Sequence, residues 1–134
     1  MRVAINAAII SDQGILLVKK GEVWILPGGK PTPGESDIAC LCREVGEELS
    51  NTKLGNMRFY GEFTGVTPHK GDVLSAKVYF ADINGALGPA SAEIREVRWV
   101  KDKAECPLSD ITSKIFASLQ KDGYLRGSKQ KSRI

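Results

Sequence analysis

Residues 29–51 read GKPTPGESDIACLCREVGEELSN, and the fold is decided in this stretch. Ser36 or Asp37 offers a side-chain oxygen to cap a helix that runs to about Leu49. Ile38, Leu41, Val45 and Leu49 recur at steps of three and four, which predicts one buried helical face. Upstream, the prolines and glycines between Pro27 and Gly34 make a structured loop. Before it, Val3–Ile10, Ile15–Lys19 and Val23–Leu26 read as strands separated by turn chemistry at Ser11–Gly14 and a Gly-Glu break. Downstream, Met57–Gly65 and Leu74–Ile83 are strand-like. In the second run Leu74, Ala76, Val78 and Phe80 alternate with Ser75, Lys77, Tyr79 and Ala81. Glu96–Lys101 is a short further strand. Ser109 or Asp110 caps a closing helix to about Lys121, with Ile111, Ile115 and Leu119 inward and Gly123 at its end. The expectation is an α/β sandwich: a mixed sheet covered on both sides by two main helices.

The chemistry also sits in that first helix. At about 100° per residue, Glu44, Glu47 and Glu48 share one face, next to the apolar stripe. Like charges at these spacings repel by a few tenths of a kcal/mol per pair, roughly. A hard divalent cation with oxygen ligands, magnesium or manganese, would offset that. Taken alone, three glutamates more often describe a solvated acidic face, with Arg43 pairing to Glu47 one turn on.

The spacing resembles the signature of the Nudix family. That signature runs glycine, five residues, Glu, seven residues, Arg-Glu, an aliphatic residue, any residue, Glu-Glu, any residue, glycine, an aliphatic residue. Here it is met by Gly29, Glu35, Arg43-Glu44, Val45, Gly46, Glu47-Glu48 and Leu49, after the entry Leu26-Pro27-Gly28-Gly29. The resemblance extends over roughly residues 2 to 122 and implies an α/β/α sandwich, with residues 1–126 as the domain. It departs where the closing glycine is Ser50 and the following aliphatic is Asn51. Asn tolerates the left-handed conformation better than Ser, so Asn51 is expected to take over the helix end, with Leu54 restoring the apolar contact.

The resemblance further implies a hydrolase that attacks a phosphorus of a diphosphate with water. Glu44, Glu47 and Glu48 look like its metal ligands, helped by the carbonyl of Gly29. Glu44 doubles as the water's base, Arg43 orients Glu44, and Glu35 is a supporting carboxylate. Glu93, six residues before Trp99, resembles the family's glutamate that reaches the metal from outside the signature. Three carboxylates on one helical face cannot surround a cation, which is a separate reason to expect such a group. Glu96 and Asp72 are the other acidic candidates, with Glu96 read as surface.

The remaining residues bound the function. With 134 residues, 42% hydrophobic and 26% charged, the chain matches a single globular domain. A net charge of +3 draws partly on Lys129, Lys131 and Arg133, read as a basic tail over 127–134. Three cysteines without a CxxC and a lone His69 argue against a closed zinc site. Cys40 and Cys42 are expected as small core residues of a reduced, cytoplasmic protein. Val3–Ile10 is too short and too interrupted for a signal peptide, and no stretch reaches membrane-spanning length. Trp24 reads as a core aromatic rather than a base-stacking platform. His69 and Lys70 read as a hairpin tip rather than phosphate contacts, and Asp110 is either a helix cap or a contact to a base edge.

Two function classes follow. The favoured one is a magnesium- or manganese-dependent hydrolase, foremost a nucleoside-triphosphate pyrophosphohydrolase of the MutT type. ADP-ribose, dinucleoside polyphosphates and a capped RNA end are its alternative substrates. The other is a non-catalytic Nudix-fold module that binds nucleotide. Such modules usually lose the signature glutamates, and this chain keeps them all. The implied partner is a nucleotide or another nucleoside-diphosphate-linked small molecule, with no membrane and no obligatory nucleic acid.

Overall fold

The computed structural model describes residues 2–67 and 72–125. His69, Lys70 and the basic tail lie outside the described residues. Strands β1 (Arg2–Ala8), β2 (Ile10–Ser11), β3 (Gly14–Lys20), β4 (Val23–Ile25) and β5 (Gly28–Gly29) precede helix α1 (Asp37–Glu48). Strands β6 (Lys53–Val66), β7 (Val73–Asn84) and β8 (Glu96–Val100) follow, then helix α2 (Asp110–Lys121). The first sheet has the order β5-β1-β7-β6 and is mixed, since β1 runs parallel to β7 while its other pairings are antiparallel. A second, antiparallel sheet is centred on β3, with β2, β4 and β8 as its partners. The expected mixed sheet is thus present, joined by a smaller one that strand patterning alone does not separate.

Alternation along the strands builds two cores. Ile15 and Leu17 of β3, with Ala76, Val78 and Phe80 of β7, pack on the face covered by Ile111, Ile115, Phe116 and Leu119 of α2. Leu16 and Val18 of β3, with Ile5, Ala7 and Ala81, pack on the opposite face against Cys40, Leu41, Val45 and Leu49. Each such fully buried aliphatic side chain contributes about 1.5–3 kcal/mol. Two sequence expectations fail here. Ile38 is 39% exposed, in the first turn of α1, whereas Leu41, Val45 and Leu49 are fully buried. Cys42 is exposed whereas Cys40 is buried, since positions two apart face different ways on a helix.

Ser36, not Asp37, caps α1, accepting the amide of Ala39 at 3.1 Å. At the other end Asn51 has φ +61°, and its amide bonds to the carbonyl of Gly46 at 2.9 Å. Asn51 has therefore taken the left-handed role, and Leu54 packs against the α1 core. Asn51→Ala is expected to cost about 1 kcal/mol, because alanine lacks the short polar side chain that lets asparagine tolerate this region, and Asn51→Gly to be near neutral. Ser50→Gly should only loosen the unfolded chain's counterpart and destabilise by about 0.5–1 kcal/mol. Thermal melts of the three variants decide this, and the assignment fails if Ser50→Gly is the stabilising one.

Candidate active site

The loop before α1 is fastened to the helix through one arginine. Arg43 donates from Nε to Glu35 Oε2 and from Nη2 to Glu35 Oε1, both at 2.8 Å. Its Nη1 reaches Glu44 Oε2 at 3.0 Å and its Nη2 the carbonyl of Lys30 at 3.2 Å. Thr32 adds its amide and hydroxyl to Glu35 Oε1. The Arg43 hydrogen bonds, followed by the Thr32 amide, hold the Glu35 carboxyl down at about 2.

Glu44 and Glu48 both turn toward β5. The Glu44 carboxyl lies so close to Gly29 that a Cβ built there would come within 2.4 Å of it. Glu48 is 3% exposed and accepts the amide of Gly28 at 3.0 Å. Gly28 has φ +145°, and a Cβ on it would meet the carbonyl of Ile5 at 2.0 Å, so glycine is required in this turn. Burial is the main force raising the Glu48 carboxyl to about 7, with the charges of Glu44 and Glu93 adding to it. The Gly28 amide and Lys20 oppose that rise.

The other expected residues are placed less tightly. The Glu47 side chain is 56% exposed and leans 3.6 Å from Arg43, so the three helical glutamates do not share one environment. Gly29 pairs with Ile5 of β1 in the ladder, and its carbonyl also accepts a weak bond from Cys40 Sγ at 3.5 Å. The Glu93 side chain is 65% exposed and paired with Lys20 at 3.2 Å. Among the described residues no three acidic, cysteine or histidine side chains converge closely enough to cage an ion as they stand.

A cavity of about 510 Å³ brings these elements together, lined by Gly28, Gly29, Glu44, Lys20 and Glu93. Its remaining wall is largely aliphatic, with Ala4, Val23, Ile25, Leu74, Ile111 and Ile115. Glu93 therefore shares the cleft with Glu44, whereas Glu96 is exposed on β8 and Asp72 pairs with Arg2 at 3.3 Å. Trp24 is 3% exposed beneath the guanidinium of Arg98, a core residue as expected. Ser109 caps α2, and Asp110 is committed to the amide of Val66 at 3.0 Å rather than to the cavity. Sequence reasoning missed Lys20. Its position at the last residue of β3, after a run of buried residues, was the available signal.

The NUDIX domain model matches residues 1–111, the span that carries every site residue above. The chain belongs to the Nudix family. It is a hydrolase of a diphosphate bond, the reaction class of that family. A MutT Nudix hydrolase from Burkholderia pseudomallei is 26% identical with a TM-score of 0.74, covering 87% of this chain and 95% of that one. A MutT protein from Bacillus halodurans is 26% identical with a TM-score of 0.71, covering 87% of this chain and 80% of that one. The Nudix domain of NrtR from Shewanella oneidensis, solved with ADP-ribose, is 18% identical at TM-score 0.71, covering 91% and 88%. A comparison with curated protein sequences gives no match. Among the described residues no helix is long and apolar enough to cross a membrane.

Proposed function

We propose that this Nudix hydrolase is a magnesium-dependent nucleoside-triphosphate pyrophosphohydrolase of the MutT type, with manganese able to substitute. The observation that carries this reading is the cavity that Glu44 and Glu93 line together. At about 510 Å³ it lies within the roughly 300–1,000 Å³ of small-molecule sites. Its aliphatic wall suits the base and sugar, and its acidic, glycine-edged part suits the phosphates.

The donor set fits a hard cation. Glu48 is a buried carboxyl whose charge lacks a full counterpart, Glu44 lies beside it at Gly29, and all the candidate donors are oxygens. Glu44, Glu47, Glu48 and the carbonyl of Gly29 would hold the ion, with Glu93 approaching from the loop before β8. When bound, the ion neutralises diphosphate charge and makes an attacking water more acidic. The protein's own contribution is positional. Arg43 holds Glu44 in place, and Glu35 holds Arg43. Glu44 accepts the proton of the water that attacks phosphorus. The bond from that phosphorus to the leaving diphosphate breaks, giving a nucleoside monophosphate and pyrophosphate.

The deciding experiment is product release from a panel of canonical and oxidised nucleoside triphosphates, ADP-ribose and diadenosine polyphosphates, with millimolar magnesium and again with chelator. Pyrophosphate release from triphosphates, lost on chelation, is expected. Turnover of ADP-ribose or a diadenosine polyphosphate in preference to every triphosphate would overturn the substrate. The ADP-ribose held by the distant NrtR domain makes it the first competitor to include.

A further inference from the structure

The loop bearing Glu93 is not the slack approach that Ala90-Ser91-Ala92 suggests in the sequence. The Ser91 amide donates to the carbonyl of Glu48 at 2.8 Å, and its hydroxyl donates to the carbonyl of Glu47. These carbonyls belong to the last turn of α1, where no helical partner is available to them. They also belong to two of the residues whose carboxylates form the proposed metal face. Upstream, the Gly88 amide bonds to Thr52 Oγ1 at 2.8 Å, and Gly88 lies so close to the carbonyl of Ser50 that a Cβ would come within 2.1 Å.

Beyond Ser91 the chain turns sharply. Ala92 adopts φ +56°, a conformation that costs an alanine energy, and the Ile94 amide closes the turn on the carbonyl of Ser91 at 3.1 Å. The Arg95 amide then bonds to the carbonyl of Lys19 on β3 at 2.9 Å. Glu93 therefore sits at the crown of a short arch. One foot stands on the end of α1 and the other on β3, next to its ion-pair partner Lys20. A strained alanine persists only where its surroundings over-determine the backbone, and the two feet do that here.

We propose that Ser91 is a positioning residue: its hydroxyl sets the distance between Glu93 and the Glu44–Glu48 carboxylates by seating the arch on the helix that carries them. This rests on the reading of Glu93 as a group of the active site. A supporting contact of this kind is worth about 10–100-fold in metal affinity or activity when removed. The cavity surface itself would be unchanged, because Ser91 does not line it.

The test is a double-mutant cycle on the full chain with Ser91→Ala, Glu93→Gln and both, read by manganese affinity from paramagnetic resonance titration and by kcat. Ser91→Ala is expected to weaken manganese binding and lower kcat by roughly tenfold each, with KM within about twofold. In the Glu93→Gln background it should add nothing, and Ser91→Thr, which keeps a hydroxyl, should restore both. An equal loss in both backgrounds, or none in either, overturns the role of Ser91. An unchanged affinity and rate in Glu93→Gln overturns the role of Glu93 and the arch with it. Because manganese affinity needs no substrate, a wrong choice of nucleotide leaves this result standing. Correct far-ultraviolet dichroism of each variant keeps misfolding apart from mispositioning.

Discussion

Glu48→Gln is expected to cut turnover sharply and, in the absence of metal, to make the protein more stable at neutral pH. The two effects have one origin. Glu48 is 3% exposed and its carboxyl is raised to about 7 by burial. In the unfolded chain it returns to about 4.5. A group with a raised folded value favours the fold while protonated. That stability is fully present below pH 4.5 and is lost as pH rises through 7. At about 1.4 kcal/mol per pH unit, the interval from 4.5 to about 7 corresponds to roughly 3 kcal/mol. Glutamine keeps an acceptor for the Gly28 amide but has no charge to desolvate. In chelator, the wild type should therefore lose stability between pH 4.5 and 7 while Glu48→Gln should not. At pH 8 the variant should melt higher, by several degrees. Magnesium should raise the wild-type melting temperature and leave the variant nearly unmoved. Turnover should fall by about a hundredfold or more, since several kcal/mol of charge stabilisation depend on the ion. Equal melting of the two proteins at pH 8 in chelator would sink the account of the buried charge. A variant of normal activity would remove Glu48 from the site.

What could be read from the sequence, and what could not, follows the range of the forces involved. The helix from Ser36 to the Ser50–Asn51 end was legible because capping, periodicity and left-handed tolerance are properties of adjacent residues. The order Glu35, Arg43, Glu44 was legible only as a pattern of spacings. Its physical content, an arginine bridging loop and helix, appears when the chain is folded. The division of Glu44, Glu47 and Glu48 into inward, exposed and buried carboxyls was not legible. One helical face covers all three, and only the approach of Gly28 and Gly29 from β5 separates them. Nor was the fastening of Ser91 to α1, a contact across 44 residues of chain. The same holds for the second sheet. The strands around β3 carry the same alternation as those of the first, and pairing is a tertiary choice that alternation does not record.

Arg43→Lys is expected to lower kcat by about a hundredfold although charge is conserved. Arg43 presents a planar fork, and the structure uses every side of it: two bonds to Glu35, one to Glu44 and one to the carbonyl of Lys30. A lysine ammonium is a single point that cannot reach all of these at once. The contacts to be kept apart matter more than the charge. Glu35 belongs to the loop, Glu44 to the proposed reacting centre, and Lys30 follows Gly29 directly. Losing the fork frees Glu44 to rotate off Gly29, and a displacement of about 1 Å at a reacting group is worth about 10²-fold in rate. KM should move less, because Arg43 is not among the cavity-lining residues. A second signature lies in acid. Glu35, depressed to about 2, contributes stability that is present above about 4.5 and lost as pH falls through 2. Since the Arg43 hydrogen bonds are the first cause of that depression, Arg43→Lys should lose stability at higher pH than the wild type. Arg43→Ala and Glu35→Ala should be strongly non-additive in kcat, each removing the same support for Glu44. Additive losses would mean that the two residues act on the reaction separately. Wild-type kcat in Arg43→Lys would show that charge alone, and not the fork, is what Glu44 requires.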